Sequence, residues 1–246
     1  MIAQFGGSIP YSPVMFWFGA VFLACGSVVR FSISDAEFAD ASGVIANFLW
    51  RARNDLEWAI FRTVVLSVFG SILIALCAQI QVPFWPVPLT MQTFAVLGIG
   101  IAYGARLGVA TLVLYLLEGL AGMPVFAGGA SGPAVFAGPT GGYLIGFVFA
   151  AGIVGKLAED GWDRSPLRTA AAMVVGNLAI YLCGVAWLTQ FLASRQTLDL
   201  ASGFTRALAV GLYPFLLGDG LKLLLATGLL WGAWRLVDAR GGRRAR

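Results

Sequence analysis

Histidine is absent from this chain, and with it go an imidazole base, a His-ligated metal and a Ser-His-Asp triad. Cysteine is nearly absent. Cys25, Cys77 and Cys183 stand apart in apolar runs without CxxC spacing, a pattern of buried small residues rather than a disulfide framework or a zinc site. Charge is scarce as well: Asp, Glu, Lys and Arg make up 11% of the residues, against roughly 25% in a soluble domain. No Walker motif occurs, so ATP hydrolysis by this chain is excluded. No cofactor is expected.

What remains is apolar. Hydrophobic residues form 59% of the chain and its mean hydropathy is +0.84, the composition of a membrane protein. Its 246 residues are better divided by the roughly 20 needed to cross a bilayer than by the size of a soluble domain. The net charge of +4 implies no nucleic acid, because cytoplasmic loops of membrane proteins collect Lys and Arg.

Six apolar runs follow Arg62, at 63–82, 91–103, 107–121, 142–157, 169–192 and 207–234. They predict an all-α membrane protein with a six-transmembrane-helix core. An earlier run at 14–29 is short for a span and has no basic residue before it, unlike a signal peptide; it reads as an extra N-terminal hydrophobic helix. Residues 30–60 mix acids with Arg51 and Arg53 and read as an amphipathic cytoplasmic connection. The expected division is an extension at 1–61, a membrane domain at 62–236 and a basic tail at 237–246.

Basic residues orient the core. With Arg62 inside, one set of loops and ends holds Arg51, Arg53, Arg62, Arg106, Lys156, Arg164, Arg168, Arg235, Arg240, Arg243, Arg244 and Arg246, while the other holds Arg195 and Arg206. Both ends of the core are therefore expected in the cytoplasm, with the charge-free Pro- and Gly-rich loops outside.

Three stretches can carry chemistry. In VPFWPVPLTMQTF, residues 82–94, Pro83, Pro86 and Pro88 fix φ and remove N–H donors, so the segment is extended rather than helical. It reads either as a connecting loop with Trp85 in the interfacial belt or as a re-entrant lid with polar contacts from Thr90 and Gln92. In GMPVFAGGASGPAVFAGPTGGYLIGF, residues 122–147, glycines sit among apolar partners without any charge. That suits a binding loop in which backbone approaches a ligand closely, or tight helix packing at Gly141, Gly142 and Gly146. In PFLLGDGLK, Asp219 and Lys222 share one helix face at i, i+3. Ionisable groups inside a span are costly and mark a substrate or ion path, the alternative being a pair that only neutralises itself. Glu118, near the outer end of its span, is read as reaching the headgroups. Along the first core span Ser67, Ser71 and Ala75 recur every four residues. Such small residues form a groove for another transmembrane helix, from a partner or from the chain itself.

Together VPFWPVPLTMQTFAVL, GMPVFAGGASGPAVFAGPTGGYLIGF and PFLLGDGLK resemble the BioY family, the biotin-specific substrate-binding component of energy-coupling factor (ECF) transporters. The likeness runs over about residues 62–235. It implies a bacterial plasma-membrane protein that binds biotin from outside, with a transmembrane coupling protein and two cytoplasmic ATPases driving release. It also implies that Asp219 and Lys222 meet polar groups of biotin, helped by Gln92 and Thr90, and that Trp85, Phe126 and Tyr143 enclose the apolar body. The Ser67, Ser71 and Ala75 stripe would then dock the coupling protein. Some members carry Asn where this chain has Ala130-Ser131, and Arg where it has Leu144, so those polar contacts are expected here from Ser131 or another group. Competing readings are a component for another small vitamin, an intramembrane enzyme with Asp219 as general base, and a structural subunit in which the Asp–Lys pair only locks helices.

Overall fold

A computed structural model describes Ile45, residues 56–196 and residues 199–242. The apolar run at 14–29, most of the amphipathic connection, Cys25 and the last four residues of the basic tail lie outside the described residues. Helix α1 (Leu56–Gln79) leads into a short antiparallel ribbon, β1 (Gln81–Val82) with β2 (Leu89–Thr90), in which Gln81 pairs with Thr90 and Val82 with Leu89. Next come α2 (Gln92–Tyr103), α3 (Ala105–Leu120) and the glycine-rich connection, which contains a one-turn helix, Ala127–Gly129, and the short α4 (Pro133–Ala137). Then α5 (Gly141–Glu159), α6 (Pro166–Gln196), α7 (Leu200–Gly211) and α8 (Leu216–Gly242) complete the bundle. The all-α, six-helix expectation holds: α1, α2, α3, α5, α6 and α8 fall on the six predicted runs. Extended backbone at 82–90 is also as the three prolines required.

Two boundaries differ. The last run, read as one span, is broken: Pro214 cannot donate to the preceding turn, and a one-turn helix at Tyr213–Phe215 separates α7 from α8. At its other end α7 is capped by Asp199, whose carboxylate accepts from the Ser202 N–H at 3.3 Å. Hydrogen bonding from Ser202, first from its side chain and then from this N–H, holds the Asp199 pKa below the usual carboxylate range. At the far end α8 runs on to Gly242, into the segment assigned to the tail.

Without water to drive association, membrane helices pack through close backbone approach at small residues. Gly146 lies against Ile180, where an added Cβ would come within 2.9 Å of its Cα, and Gly155 against Ala105, within 2.4 Å of its nitrogen. Around these seams Leu97, Leu112, Ala151 and Val154 are fully enclosed.

The orientation of α1 overturns one expectation. Ser67, Ser71, Ile74 and Ala78 face the chain's own interior, while Phe69, Ile72, Leu73 and Leu76 face outward. Ser67 and Ser71 therefore form no outward docking groove, and Ala75 is half-buried against the core. The physical reason is Glu118. Its carboxyl does not reach the headgroups; it is buried and accepts a hydrogen bond from Ser71 Oγ at 2.5 Å. A buried carboxyl needs such a partner, and a rotation placing Ser71 in lipid would deprive both groups.

Candidate functional site

The first two turns of α8 place Asp219 and Lys222 on one side, and Lys222 Nζ donates to Asp219 Oδ1 at 2.9 Å. Both side chains are under a tenth exposed. Desolvating such a pair is unfavourable unless further hydrogen bonds satisfy it, and two other helices supply them. From α2, Thr93 Oγ1 accepts from Lys222 at 3.2 Å and donates to Asp219 Oδ1 at 3.4 Å. From α6, the Tyr181 hydroxyl donates to Asp219 Oδ2. A Lys ammonium has three N–H donors. Two are engaged, and the third has no partner among the described residues.

This cluster lies at the base of a cavity of about 390 Å³, within the range of small-molecule sites. Its walls come from β2 and α2 (Thr90, Gln92), the glycine-rich connection (Phe126, Ala127, Ala130), α4, the start of α5 (Tyr143, Leu144, Phe147) and Phe215. Apolar walls with a few convergent polar groups are what a binding site needs. A larger hollow of about 850 Å³ lies beyond Tyr181 and Asp219, between α6, α7 and α8. Leu178, Leu182 and Leu216 line it and are themselves exposed, so it belongs to the lipid-facing side.

The wall residues are braced from behind. Gln92 Nε2 donates to the Tyr115 hydroxyl at 2.7 Å, and that hydroxyl donates to the Val125 carbonyl at 2.9 Å. Thr90 Oγ1 donates to Gln92 Oε1 at 3.1 Å. The Tyr143 hydroxyl donates to the Gly211 carbonyl at 2.9 Å, leaving its ring on the cavity. Phe126 packs edge-on against Tyr115 and Phe136, with centroids 5.5 and 5.6 Å away. It fits only because residue 119 is glycine, where a Cβ would stand 2.0 Å from the ring. The connection stays near α3 because the Gly132 N–H donates to the Gly119 carbonyl at 2.7 Å, with Gly132 at φ 84°, a backbone that suits glycine.

The sequence profile of the BioY family matches residues 51–239. The chain belongs to the BioY family. It is 38% identical over 149 residues to the probable biotin transporter BioY of Pyrococcus horikoshii, covering 61% of this chain and 82% of that protein. It is 34% identical over 172 residues to the biotin transporter BioY of Rhizobium etli, covering 66% and 87%. With the biotin transporter BioY of Thermotoga maritima the figures are 35% over 165 residues, covering 67% and 91%. A crystal structure of the S-component for biotin from an ECF-type ABC transporter superimposes with a TM-score of 0.59 at 24% identity, covering 71% of this chain and 92% of that one. At that identity the likeness bears on the fold. Membership agrees with four helices long and apolar enough to cross a membrane among the described residues: this BioY-family chain is a multi-pass membrane protein.

Of the residues singled out in the sequence, the cavity brings together Asp219, Lys222, Gln92, Thr90, Phe126 and Tyr143. Trp85 is 70% exposed and off the lining, because the ribbon turns it outward. Ser131 does not line the cavity either; its neighbour Ala130 does. Gly141 and Gly142 are packing residues. A Cβ at Gly141 would meet the Phe136 carbonyl oxygen at 2.0 Å, and one at Gly142 would meet Trp187 Cβ at 2.3 Å and the Cys183 carbonyl oxygen at 2.5 Å. Sequence reasoning missed Thr93 and Tyr181. Thr93 carried no signal beyond adjacency to Gln92. Tyr181 did carry one, since a phenol within an apolar span requires a hydrogen-bond partner and Asp219 is an acceptor in search of donors.

Proposed function

We propose that this BioY-family chain binds biotin from the outer side of the membrane and delivers it inward, as the substrate-binding component of an ECF transporter. The observation that carries the reading is the four-residue cluster of Asp219, Lys222, Thr93 and Tyr181 beneath an apolar cavity. Biotin's ureido group offers N–H donors and a carbonyl acceptor, and its bicycle with the thioether is apolar. Asp219 accepts from the N–H groups, the third Lys222 N–H donates to the carbonyl, and Phe126 and Tyr143 enclose the bicycle. The relatives named biotin transporters support the choice of ligand. The chain works by binding and moving its ligand and makes or breaks no bond in it. Residues 62–236 carry this function, 1–61 being an extension and 237–246 a tail. The chain resides in a bacterial plasma membrane with the core termini in the cytoplasm, where the basic residues gather. A coupling protein and ATPases supply the energy.

The test is direct. The full chain purified in detergent is stripped of small molecules, which are identified by mass spectrometry, and then titrated with biotin, thiamine and riboflavin. Biotin among the released molecules and selective binding of biotin are expected. Selective binding of either other vitamin would overturn the choice of ligand, and binding of none would favour a structural subunit.

A further inference from the structure

Charge around the cavity is confined to one end. Among the lining residues Asp219 and Lys222 are the Asp, Glu, Lys or Arg side chains, and they neutralise each other at 2.9 Å. The glycine-rich connection and the residues leading into α5 form a rim of Ala127, Ala130, Ala134, Pro139 and Thr140, all exposed or half-exposed. Its polar side chain is the Thr140 hydroxyl. Below the rim, Leu144 and Phe147 are each 4% exposed and apolar.

A guest with a carboxylate tail meets two environments in such a cavity. At the base its carboxylate would share the Lys222 ammonium with Asp219. Two carboxylates on one cation repel, and one of them is left under-compensated. On the apolar wall beside Leu144 and Phe147 it would lose its hydration without any partner. The remaining place is the rim, where it keeps its water and meets a neutral hydroxyl. A charge that stays hydrated and faces no cation adds little to affinity. Nor does it discriminate sharply, because one hydroxyl can donate to an amide or ester carbonyl as well as to a carboxylate.

We infer, resting on the biotin reading, that the site recognises its ligand without reading the carboxylate, and that biotin esters and amides with small amines are ligands alongside the free acid. The substrate class is thereby wider than biotin itself. It is defined by the ureido bicycle and left open at the tail.

Calorimetric titration of the full chain in detergent with biotin, biotin amide, biotin methyl ester and a ureido-N-methylated biotin tests this. The amide and ester are expected within about tenfold of biotin, and the ureido-methylated compound weaker by more than about a hundredfold, as for a lost contact to a buried charge. Tight binding of biotin with an amide weaker by more than about tenfold overturns the inference and leaves the biotin reading standing. Undiminished binding of the ureido-methylated compound reverses the ligand in the cavity and also overturns it. If neither biotin nor its amide binds, the biotin reading falls and takes this inference with it.

Discussion

The Tyr181 hydroxyl donates to Asp219 Oδ2 across a separation of 38 residues, so the carboxylate on α8 is held from α6 as well as by Lys222 on its own helix. This bond forms part of the partition between the ligand cavity and the lipid-facing hollow, since both residues line both spaces. Tyr181→Phe keeps the ring and removes the donor. One unsatisfied buried acceptor costs about 1–3 kcal/mol. We expect a lower melting temperature and biotin affinity weaker by roughly tenfold; unchanged affinity would remove Tyr181 from the site.

The Asp219–Lys222 pair separates stability from recognition. Asp219→Ala leaves a buried ammonium and should cost about 3–5 kcal/mol of stability, together with biotin binding. Replacing both residues, Asp219→Leu with Lys222→Met, removes the uncompensated charge, so melting temperature should recover while binding stays lost. Thermal melting and biotin titration on the same preparations check both halves. Binding by the double variant would show that the pair only locks helices.

Ser71→Leu tests the inward orientation of α1. The added bulk meets the Glu118 carboxyl rather than a partner or lipid, and overpacking a full interior costs about 1–3 kcal/mol. Melting temperature and biotin affinity of the isolated protein should fall together. Trp85→Phe is the contrasting case. On an exposed residue it should shift stability by no more than about 0.5 kcal/mol and leave biotin binding intact.

Between α5 and α6, Asp163 is buried and accepts from Trp234 Nε1 at 2.9 Å. Burial raises its pKa above the usual 3.8, outweighing the Trp234 bond and the nearby Arg164 charge. A carboxyl with a raised folded pKa binds its proton more tightly in the folded state, so its effect on stability is most favourable below 3.8 and worsens as pH rises through the folded value. Asp163→Asn retains an acceptor for Trp234 and removes that penalty. The variant should melt higher than the parent near neutral pH, with the gap narrowing toward about pH 4. A gap that widened on acidification would contradict the assignment.

The features legible in sequence were those with a signal that lipid does not erase. Three prolines between 83 and 88 forbade a helix, an acid and a base at i, i+3 announced the base of the cavity, and the six apolar runs marked the spans. The rotation of α1 was not legible. Protein interior and bilayer are both apolar, so Phe69 and Ile72 on the outside look no different from Ile74 on the inside. Ser67 and Ser71 could be assigned to either face until Ser71 was seen to bond Glu118. The same ambiguity hid the work of Gly141 and Gly142, since close approach to a ligand and close approach to Phe136 or Trp187 ask for the same missing Cβ. The break at Pro214 was visible as a proline, yet hydropathy ran through it and joined α7 to α8.

Helix α2 has 12 residues and is therefore about 18 Å long at 1.5 Å per residue, well short of the roughly 30 Å hydrocarbon layer. Its second residue is Thr93, at the base of the cavity, and its far end turns at Gly104, beside the Arg106 that the proposed orientation places in the cytoplasm. On that orientation, a molecule resting on Thr93 would stand below the outer boundary of the layer, with about 18 Å still ahead of it. On the proposed orientation, the energised step would have to carry its cargo the length of that one short helix.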